Sequence, residues 1–324
     1  MGGAVRMNEY RGKHAPSHPW PVSSAAPVTS RRGKHQKKRR HRVLFFVAFA
    51  VILAIIAYPF IEPKVYRVSF EEIQTDRIHS VENARPLRVI YVSDIHWGHW
   101  LSDWDLSRLV NRINELYPDF IVFGGDYATD YESAIRFFSK LQQSKLRPRL
   151  RAYGVLGETD YISEDFNLRR LRDAMSNAGI QLLVNETAQY STAFGTVCFA
   201  GSDDFISGTP DLKKLAASDD VATADYVILA AHNPALIPTA QLQKNQSNSY
   251  EWFDLGLFGH THGGQVPILG DFLEIAEDVP ERYREGRLEE NRSSLFISRG
   301  IGTSVIPCRV FCPPQILCID ISPD

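Results

Sequence analysis

Net charge is almost absent from this sequence. Its 36 Lys and Arg residues nearly balance 38 Asp and Glu residues, which gives a formal net charge of −2. Eight of the basic residues fall in one run at 31–42 (RRGKHQKKRRHR), so the rest of the chain is acidic. A basic face spread over a folded domain is therefore not supported, and nucleic acid is not an expected partner.

Cysteines are few, and none of them are paired in a recognisable motif. Cys198, Cys308, Cys312 and Cys318 form no C-x-x-C pair and show no zinc-finger spacing. We expect them to be small buried side chains. A Cys308–Cys312 disulfide is the alternative if the domain is exported. A cysteine nucleophile is not expected, because other residues account for the chemistry.

A long uncharged run is present near the N-terminus. Residues 43–61 (VLFFVAFAVILAIIAYPFI) contain no charge and are about long enough to cross a bilayer as a helix. Residues 1–42 are rich in Pro, Ser, Gly, Arg and Lys, and we predict a disordered basic tail there. A cleaved signal peptide is the alternative. It is disfavoured because the run exceeds the usual apolar core of about 7–15 residues and no small-residue cleavage site follows.

The charges that flank the apolar run predict its orientation. Eight basic residues precede it, whereas only Lys64 and Arg67 closely follow it. This asymmetry favours a single-pass anchor in the cell membrane with the N-terminus inside and the following domain outside. A re-entrant or monotopic anchor would instead leave that domain on the cytoplasmic face.

Beyond the anchor, the pattern predicts a linker or first strand at 62–85 and one domain at 86–324. A helix is indicated by apolar residues at helical spacing, namely Leu106, Leu109, Val110, Ile113 and Leu116. Short apolar strands are predicted at 87–92, 120–123, 152–156, 197–200, 226–230, 255–258, 295–298 and 316–319. Strands that alternate with helices predict an α/β domain with a largely parallel sheet.

Polar residues that can bind a metal follow five of these strands. They are Asp94, His96, Asp126, Glu158, His232, His260 and His262. The carboxyl ends of strands are where sites gather in open α/β sheets, so we expect these side chains to converge. Carboxylates together with imidazoles suit Mn²⁺, Fe²⁺ or Zn²⁺ better than Mg²⁺ or Ca²⁺.

The order of motifs D-x-H, G-D, G-E-x-D, H and G-H-x-H resembles the calcineurin-like metallophosphoesterase superfamily, from about residue 86 to the C-terminus. Its bacterial membrane-associated branch is most similar, since there GHTHGGQ is followed by a stretch like residues 299–304. The resemblance implies a sandwich of two mixed β-sheets flanked by helices. It also implies hydrolysis of a phosphoester or phosphoanhydride bond.

The resemblance further implies two divalent metal ions, which hold and activate a bridging water. One ion would take Asp94, His96, Asp126 and His262, and the other would take Asp126, Glu158, His232 and His260. Asp126 would then bridge the pair, and Asp126, His232 and Arg299 would act in catalysis. His99, Asn233 and Arg299 are candidates for contact with the phosphate or the leaving group.

The third motif departs from the usual G-N-H-D or G-N-H-E of the superfamily. Glu158 replaces an amide ligand by a carboxylate, which should tighten metal binding and lower the Lewis acidity of the metal. Thr159 replaces a histidine, and threonine cannot act as a general acid near neutral pH. An enzyme with a good leaving group is therefore expected.

The superfamily's UDP-2,3-diacylglucosamine pyrophosphatases, which act in lipid A biosynthesis, likewise lack that histidine. The substrate is therefore expected to be a phosphorylated lipid or glycolipid in the membrane. A phosphodiesterase or phosphatase for soluble phosphorylated molecules is one alternative. A weakly active, metal-binding membrane sensor is the other.

Overall fold

The computed structural model describes residues 31–245, 251–266, 276 and 278–324. The chain divides into two compact units, Met1–Leu53 and Ala54–Asp324. Its first element is the helix α1 (Arg31–Ile61), which is long and apolar enough to cross a membrane.

The helix begins at Arg31, so residues 31–42 are helical, although we predicted a disordered tail there. Lys, Arg and Gln are good helix formers, and no proline separates them from the apolar run. The predicted tail at 1–30 lies outside the described residues.

The second unit contains two mixed six-stranded sheets. The first sheet has the order β1-β12-β2-β3-β4-β5 and the second has the order β10-β11-β9-β8-β7-β6. Strands of the first sheet are β1 (Arg67–Thr75), β2 (Leu87–Val92), β3 (Phe120–Phe123), β4 (Arg151–Gly154), β5 (Ile180–Leu182) and β12 (Gln315–Pro323). Strands of the second are β6 (Glu186–Thr192), β7 (Gly195–Gly201), β8 (Tyr226–Ala230), β9 (Leu255–Phe258), β10 (Gly286–Glu290) and β11 (Ser293–Ile297). Strands β2 to β5 are parallel, as are β7, β8, β9 and β11.

Helices connect the parallel strands. They are α2 (Asp103–Glu115), α3 (Tyr131–Ser144), α4 (Leu168–Asn177), α5 (Leu212–Ala216), α6 (Asp219–Thr223) and α7 (Ile237–Leu242). The predicted helix is confirmed as α2. Ser102 caps its N-terminus and forms a capping box with Asp105, while Leu106, Leu109 and Ile113 are buried.

Three apolar clusters arrange these elements as a sandwich. Between the sheets, Tyr91 and Phe120 of the first pack in one cluster with Phe199 and Leu257 of the second. The outer face of the first sheet packs with residues of α2, α3 and α4, and that of the second packs with α5, α6 and α7. The expected sandwich of two mixed sheets flanked by helices is therefore confirmed.

Most strand predictions are confirmed with small shifts of their bounds. The strand predicted at 152–156 is observed nearer the N-terminus, since β4 spans Arg151–Gly154. The strands β5, β6 and β10 were not predicted, because they are short or carry exposed polar side chains on one face. The strand β1 lies inside the segment 62–85 that was predicted to hold a first strand.

Candidate metal centre

The loops after β2, β3 and β9 are joined by backbone hydrogen bonds near Asp94. The Asp94 N–H donates to the Gly125 carbonyl (3.0 Å), and the His96 N–H donates to the Asp126 carbonyl (3.0 Å). The His260 N–H donates to Asp94 Oδ1 (3.0 Å). Backbone geometry therefore brings the predicted ligands together at the carboxyl ends of the strands.

Five of the seven predicted ligands form two overlapping buried groups. Asp94, His96 and His262 make one group, and Asp94, Asp126 and His232 make the other. In each group, candidate ligand atoms lie within 4.8 Å of one another. The residue common to both groups is Asp94, whereas the resemblance implied that Asp126 is shared.

The backbone at these ligands has an unusual conformation. Positive φ angles are found at Asp94 (53°), His96 (44°), Asp126 (54°), His260 (68°) and His262 (50°). A positive φ is uncommon for residues other than glycine, and such conformations concentrate at functional sites. The loops therefore hold these residues in place at a conformational cost that the rest of the fold sustains.

Unsatisfied polar atoms show that the centre fits a metal ion. Among the described residues, His232 Nε2 and Asp94 Oδ2 are buried without a hydrogen-bond partner. The Nδ1 of His232 lies 2.7 Å from the Gly124 carbonyl and must donate to it, so in the neutral ring the lone pair is on Nε2. The Nε2 atoms of His96 and His262 face each other at 3.1 Å. Such a set of lone pairs is what a divalent transition ion binds.

The charges of the centre also fit a cation. Burial lowers the pKa of His96 and of His262, which favours the neutral imidazole that ligates metals. Burial alone would lower the pKa of His232 too. The nearby carboxylates of Asp126 and Asp94 outweigh it and raise that pKa to about 10. The negative charge of these two carboxylates favours a proton on His232. The same negative charge would favour a metal cation in place of that proton.

Glu158 and His260, the other two predicted ligands, lie outside the two groups. Glu158 is half-buried, and burial together with the negative charge of Asp126 raises its pKa. The ring of His260 lies 5.2 Å from that of His232, and its Nε2 lies 3.4 Å from Asp278 Oδ1. If the Nε2–H donates to Asp278, the lone pair of His260 is on Nδ1.

Asp278 was missed by the sequence analysis. Besides its contact with His260, it accepts a hydrogen bond from Asn233 Nδ2 (2.6 Å). The hydrogen bond with His260 is the main cause that lowers the pKa of Asp278 to about 2. A carboxylate that orients a ligating histidine is a common outer partner of metal sites. No motif marks it, since it is one of four acidic residues between GHTHGGQ and Pro280, namely Asp271, Glu274, Glu277 and Asp278.

Thr159 faces Asp126 rather than the surface of the centre. Its N–H donates to Asp126 Oδ1 (2.9 Å), and its Oγ1 lies 2.9 Å from the same oxygen and 2.8 Å from the Ala128 carbonyl. Asp160 accepts hydrogen bonds from the backbone N–H groups of Asp126, Tyr127 and Gly157. The G-E-T-D motif thus fixes the carboxylate and the loop of Asp126.

The three candidates for substrate contact differ in their exposure and in their contacts. His99 is exposed, with its ring 5.8 Å from that of Trp100. Arg299 is paired with Glu285 through its Nε. Asn233 is buried, and both of its side-chain groups are engaged, with Ala235 and with Asp278. His99 is therefore the most accessible of the three.

A fully buried arginine supports the loop of His262. Arg309 donates to the carbonyls of Gly302 (2.6 Å) and Arg299 (2.7 Å), and its Nη2 lies 3.3 Å from His262 Nδ1. The sequence analysis missed it because a lone arginine between apolar residues carries no motif. The four cysteines are free, and Cys198, Cys312 and Cys318 are buried as expected. The alternative disulfide is therefore not formed.

A buried cluster of carboxylates and imidazoles at the strand ends of an α/β sandwich defines a metal-dependent hydrolase. The sequence profile of the calcineurin-like phosphoesterases matches residues 87–264, which is more than half of the chain. The chain belongs to this family and is a phosphoesterase.

Three relatives show the range of similar proteins. A transmembrane protein with a metallophosphoesterase domain from Danio rerio is 30% identical over 84% of this chain, which spans 60% of the relative's length. The phosphodiesterase YaeI of Escherichia coli is 27% identical over 78% of this chain and 88% of the relative. A metallophosphoesterase of Aquifex aeolicus is 26% identical over 84% of this chain and 97% of the relative.

Proposed function

We propose that the protein is a membrane-anchored phosphohydrolase that cleaves a pyrophosphate or phosphodiester bond of a phosphorylated lipid or glycolipid. The observation that carries the proposal is the pair of overlapping buried groups around Asp94, in which Asp94 Oδ2 and His232 Nε2 have no hydrogen-bond partner. Asp94, His96, Asp126 and His262 would hold one divalent ion, and Asp126, Glu158, His232 and His260 would hold the other. Two such ions supply an activated water and neutralise charge on the phosphoryl oxygens.

The residues of the chain supply orientation for this reaction. Thr159 holds Asp126 Oδ1, so that Oδ2 lies 3.5 Å from His96 Nε2 and from His232 Nε2. Gly124 fixes the ring of His232, and Asp278 lies beside the ring of His260. A ligand set held in this way needs little rearrangement when charge develops on the substrate.

The position of Thr159 favours a substrate with a good leaving group. Its hydroxyl is engaged by Asp126 and Ala128, so no side chain at this position can protonate a leaving oxygen. A nucleoside monophosphate that leaves from a pyrophosphate needs no such proton. UDP-2,3-diacylglucosamine, an intermediate of lipid A biosynthesis, has this chemistry and an acyl-chain anchor, and is our first candidate.

The full-length protein in detergent, loaded with Mn²⁺, tests the activity. We expect turnover of bis-p-nitrophenyl phosphate and of UDP-2,3-diacylglucosamine, with much slower hydrolysis of alkyl phosphate monoesters. Asp94→Asn is the inactive control, and Asp103→Asn, at an exposed pair with Lys140, is the matched control that should keep activity. A folded, metal-loaded protein without turnover of any phosphate bond would favour the metal-binding sensor.

A soluble-substrate phosphodiesterase is the second candidate function. The relative from Escherichia coli is named a phosphodiesterase, which favours a diester bond. Equal turnover of a lipid substrate and of its soluble headgroup analogue would support this candidate over the lipid one.

The topology belongs to the same proposal. We propose that α1 anchors the protein in the cell membrane, with the basic run inside and the domain outside. The length and apolar character of α1, and the relative named a transmembrane protein, support an anchor. A reporter fused after Asp324 should be active only outside the cytoplasm. Activity confined to the cytoplasm would place the domain on the inner face and would strengthen the UDP-2,3-diacylglucosamine candidate, because nucleotide-activated glycolipids are made on that side, whereas an outer domain favours another phosphorylated lipid.

A further inference from the structure

One residue connects the metal centre to the end of the apolar helix. The Arg309 N–H donates to the Pro59 carbonyl (2.9 Å), and its Nη2 lies 3.3 Å from His262 Nδ1. An arginine side chain spans about six bonds of roughly 1.5 Å each, so the Pro59 carbonyl lies within about 15 Å of the His262 ring. Pro59 is in the last turn of α1. The centre is therefore close to the point where the chain leaves the apolar run.

The loop that carries Arg309 has further contacts with this point. The Phe311 N–H donates to Glu62 Oε2 (2.9 Å), and the Phe311 ring lies 5.7 Å from the ring of Tyr58. Even so, 71% of Phe311 is exposed, as is 73% of Val305 in the same loop. Phe311 therefore stays uncovered beside Tyr58 and Glu62, and Val305 is exposed in the same loop.

A second loop joins the centre to the same segment. Lys64 donates to the carbonyl of Trp100, which is four residues after His96, and to Asp105 Oδ2 (2.7 Å) at the start of α2. Arg108 donates to the Lys64 carbonyl (3.2 Å) and stacks on Trp104. Trp100 and Trp104 are both exposed.

The loop that carries Phe311 therefore presents exposed apolar side chains next to residues 58–64. The loop of Trp100 and the first turn of α2, which carries Trp104, do the same. We define the interfacial surface as Trp100, Trp104, Val305 and Phe311. Tryptophan is enriched where membranes meet water, because its ring is apolar and its N–H is polar. The polar headgroup layer is only about 5–8 Å thick on each side of the hydrocarbon core.

We propose that the interfacial surface rests in the phospholipid headgroup layer, so that the metal centre takes the phosphate headgroup of a lipid from the same leaflet. This inference rests on the proposed membrane anchor. The anchor alone would allow the domain to stand away from the bilayer. The Pro59–Arg309–His262 connection instead holds the centre within reach of headgroups, and the exposed side chains give the contact.

Quenching of tryptophan fluorescence tests the contact without relying on activity. The full-length protein is reconstituted in vesicles of phosphatidylcholine and of brominated phosphatidylcholine. We expect brominated lipid to quench the wild type more strongly than the double variant Trp100→Phe with Trp104→Phe, in which the reporting rings are gone. Equal fractional quenching in the two proteins would overturn the proposal.

A turnover comparison tests the consequence for substrates. CDP-diacylglycerol in phosphatidylcholine vesicles and soluble CDP-glycerol present the same pyrophosphate bond with and without acyl chains. Val305→Asp with Phe311→Asp should lower turnover of the lipid about tenfold, because two partly inserted apolar side chains are replaced by charged ones. Turnover of CDP-glycerol should stay within about twofold, since neither residue belongs to the centre. Equal losses on both substrates would contradict the proposal.

A matched control and an extraction step separate the possible failures. Tyr117→Asp replaces a ring that is as exposed as Phe311 but follows the opposite end of α2, about 20 Å from Trp104, and should change neither readout. Release of the protein from vesicles by alkaline carbonate would refute the anchor and with it the proposed function. Retention without quenching of Trp100 and Trp104 would refute the interfacial surface alone.

Discussion

The inner and outer halves of the candidate metal centre are held in different ways. The inner half is Asp94, His96, Asp126, His232 and His262, none more than 5% exposed. The outer half is Glu158, His260, Asp278, Glu285 and Arg299, of which only His260 is buried. Backbone hydrogen bonds and positive φ angles fix much of the inner half. Side-chain pairs such as Arg299–Glu285 and His260–Asp278 are prominent in the outer half.

Because of this difference, we expect the two ions to be bound with different affinities. Fixed, buried ligands lose little conformational freedom when they bind an ion, whereas exposed side chains must be ordered first. We therefore expect the ion held by the inner half to be retained through purification. The second ion should exchange readily and should depend on the residues around His260.

The largest effect is expected when the inner half is broken. Asp94→Asn removes the carboxylate common to both ligand groups, so metal content should fall and turnover should drop by at least about 10²- to 10³-fold. Elemental analysis and the rate on bis-p-nitrophenyl phosphate measure the two effects. Asp126→Asn should behave similarly if it bridges the ions. Full metal content in both variants would contradict the assignment of the centre.

Replacement of Asp278 should weaken metal binding by the outer half and leave metal binding by the inner half unchanged. Asp278→Asn keeps the shape but removes the charge beside His260, and the loss of such an outer carboxylate typically costs 10–100-fold in metal affinity. Calorimetric titration of the metal-free protein with Mn²⁺ should show a weaker second ion and an unchanged first one. Equal weakening of both ions would show that the two halves are not separable.

Thr159 offers a smaller and sharper test of the inner half. Thr159→Val removes the hydroxyl beside Asp126 Oδ1, and we expect turnover to fall about tenfold, in line with about 1–2 kcal/mol for one hydrogen bond to a charged group. Thr159→Ser keeps that hydroxyl and should retain most of the activity. A loss in the serine variant as large as in the valine variant would mean that the methyl group matters instead.

The smallest effect on the metal centre itself is expected when Asp94 is crowded through the backbone, since most of this change falls on stability. Gly300 has a φ of 68°, and a Cβ there would lie 2.8 Å from the Cβ of Asp94. Gly300→Ala should lower stability by about 1–3 kcal/mol and also lower metal affinity. The matched control is Gly179→Ala, with a φ of 80° and no heavy atom within 4 Å of a Cβ, which should cost stability alone. Thermal unfolding and metal titration of both variants measure the difference.

The sequence predicted the inner half better than the outer half for a physical reason. Asp94, Asp126 and His232 follow strands whose apolar pattern is plain, and parallel strands bring their carboxyl ends together. The positive φ angles at Asp94, Asp126 and three of the histidines (His96, His260 and His262) are not visible in the sequence, because Asp and His usually adopt other conformations. Their close packing around one point was therefore an expectation from motif order and resemblance.

The supporting residues could not be found in the same way. Asp278 and Arg309 meet His260 and His262 through side-chain contacts between separate loops, and no local periodicity encodes such contacts. The start of α1 at Arg31 was missed because basic composition was taken as a sign of disorder, although these residues favour helices. The strand bounds differ by a few residues, since strand ends depend on partners elsewhere in the sheet.

We propose that this phosphohydrolase binds two metal ions at unequal sites. The most direct measurement is stepwise Mn²⁺ titration of the metal-free, full-length protein, with bound metal and the rate on bis-p-nitrophenyl phosphate followed together. We predict two ions per chain, with most of the turnover appearing as the second and weaker ion binds. A folded protein that binds no Mn²⁺, Fe²⁺ or Zn²⁺, or that reaches full turnover without a second ion, would contradict the account.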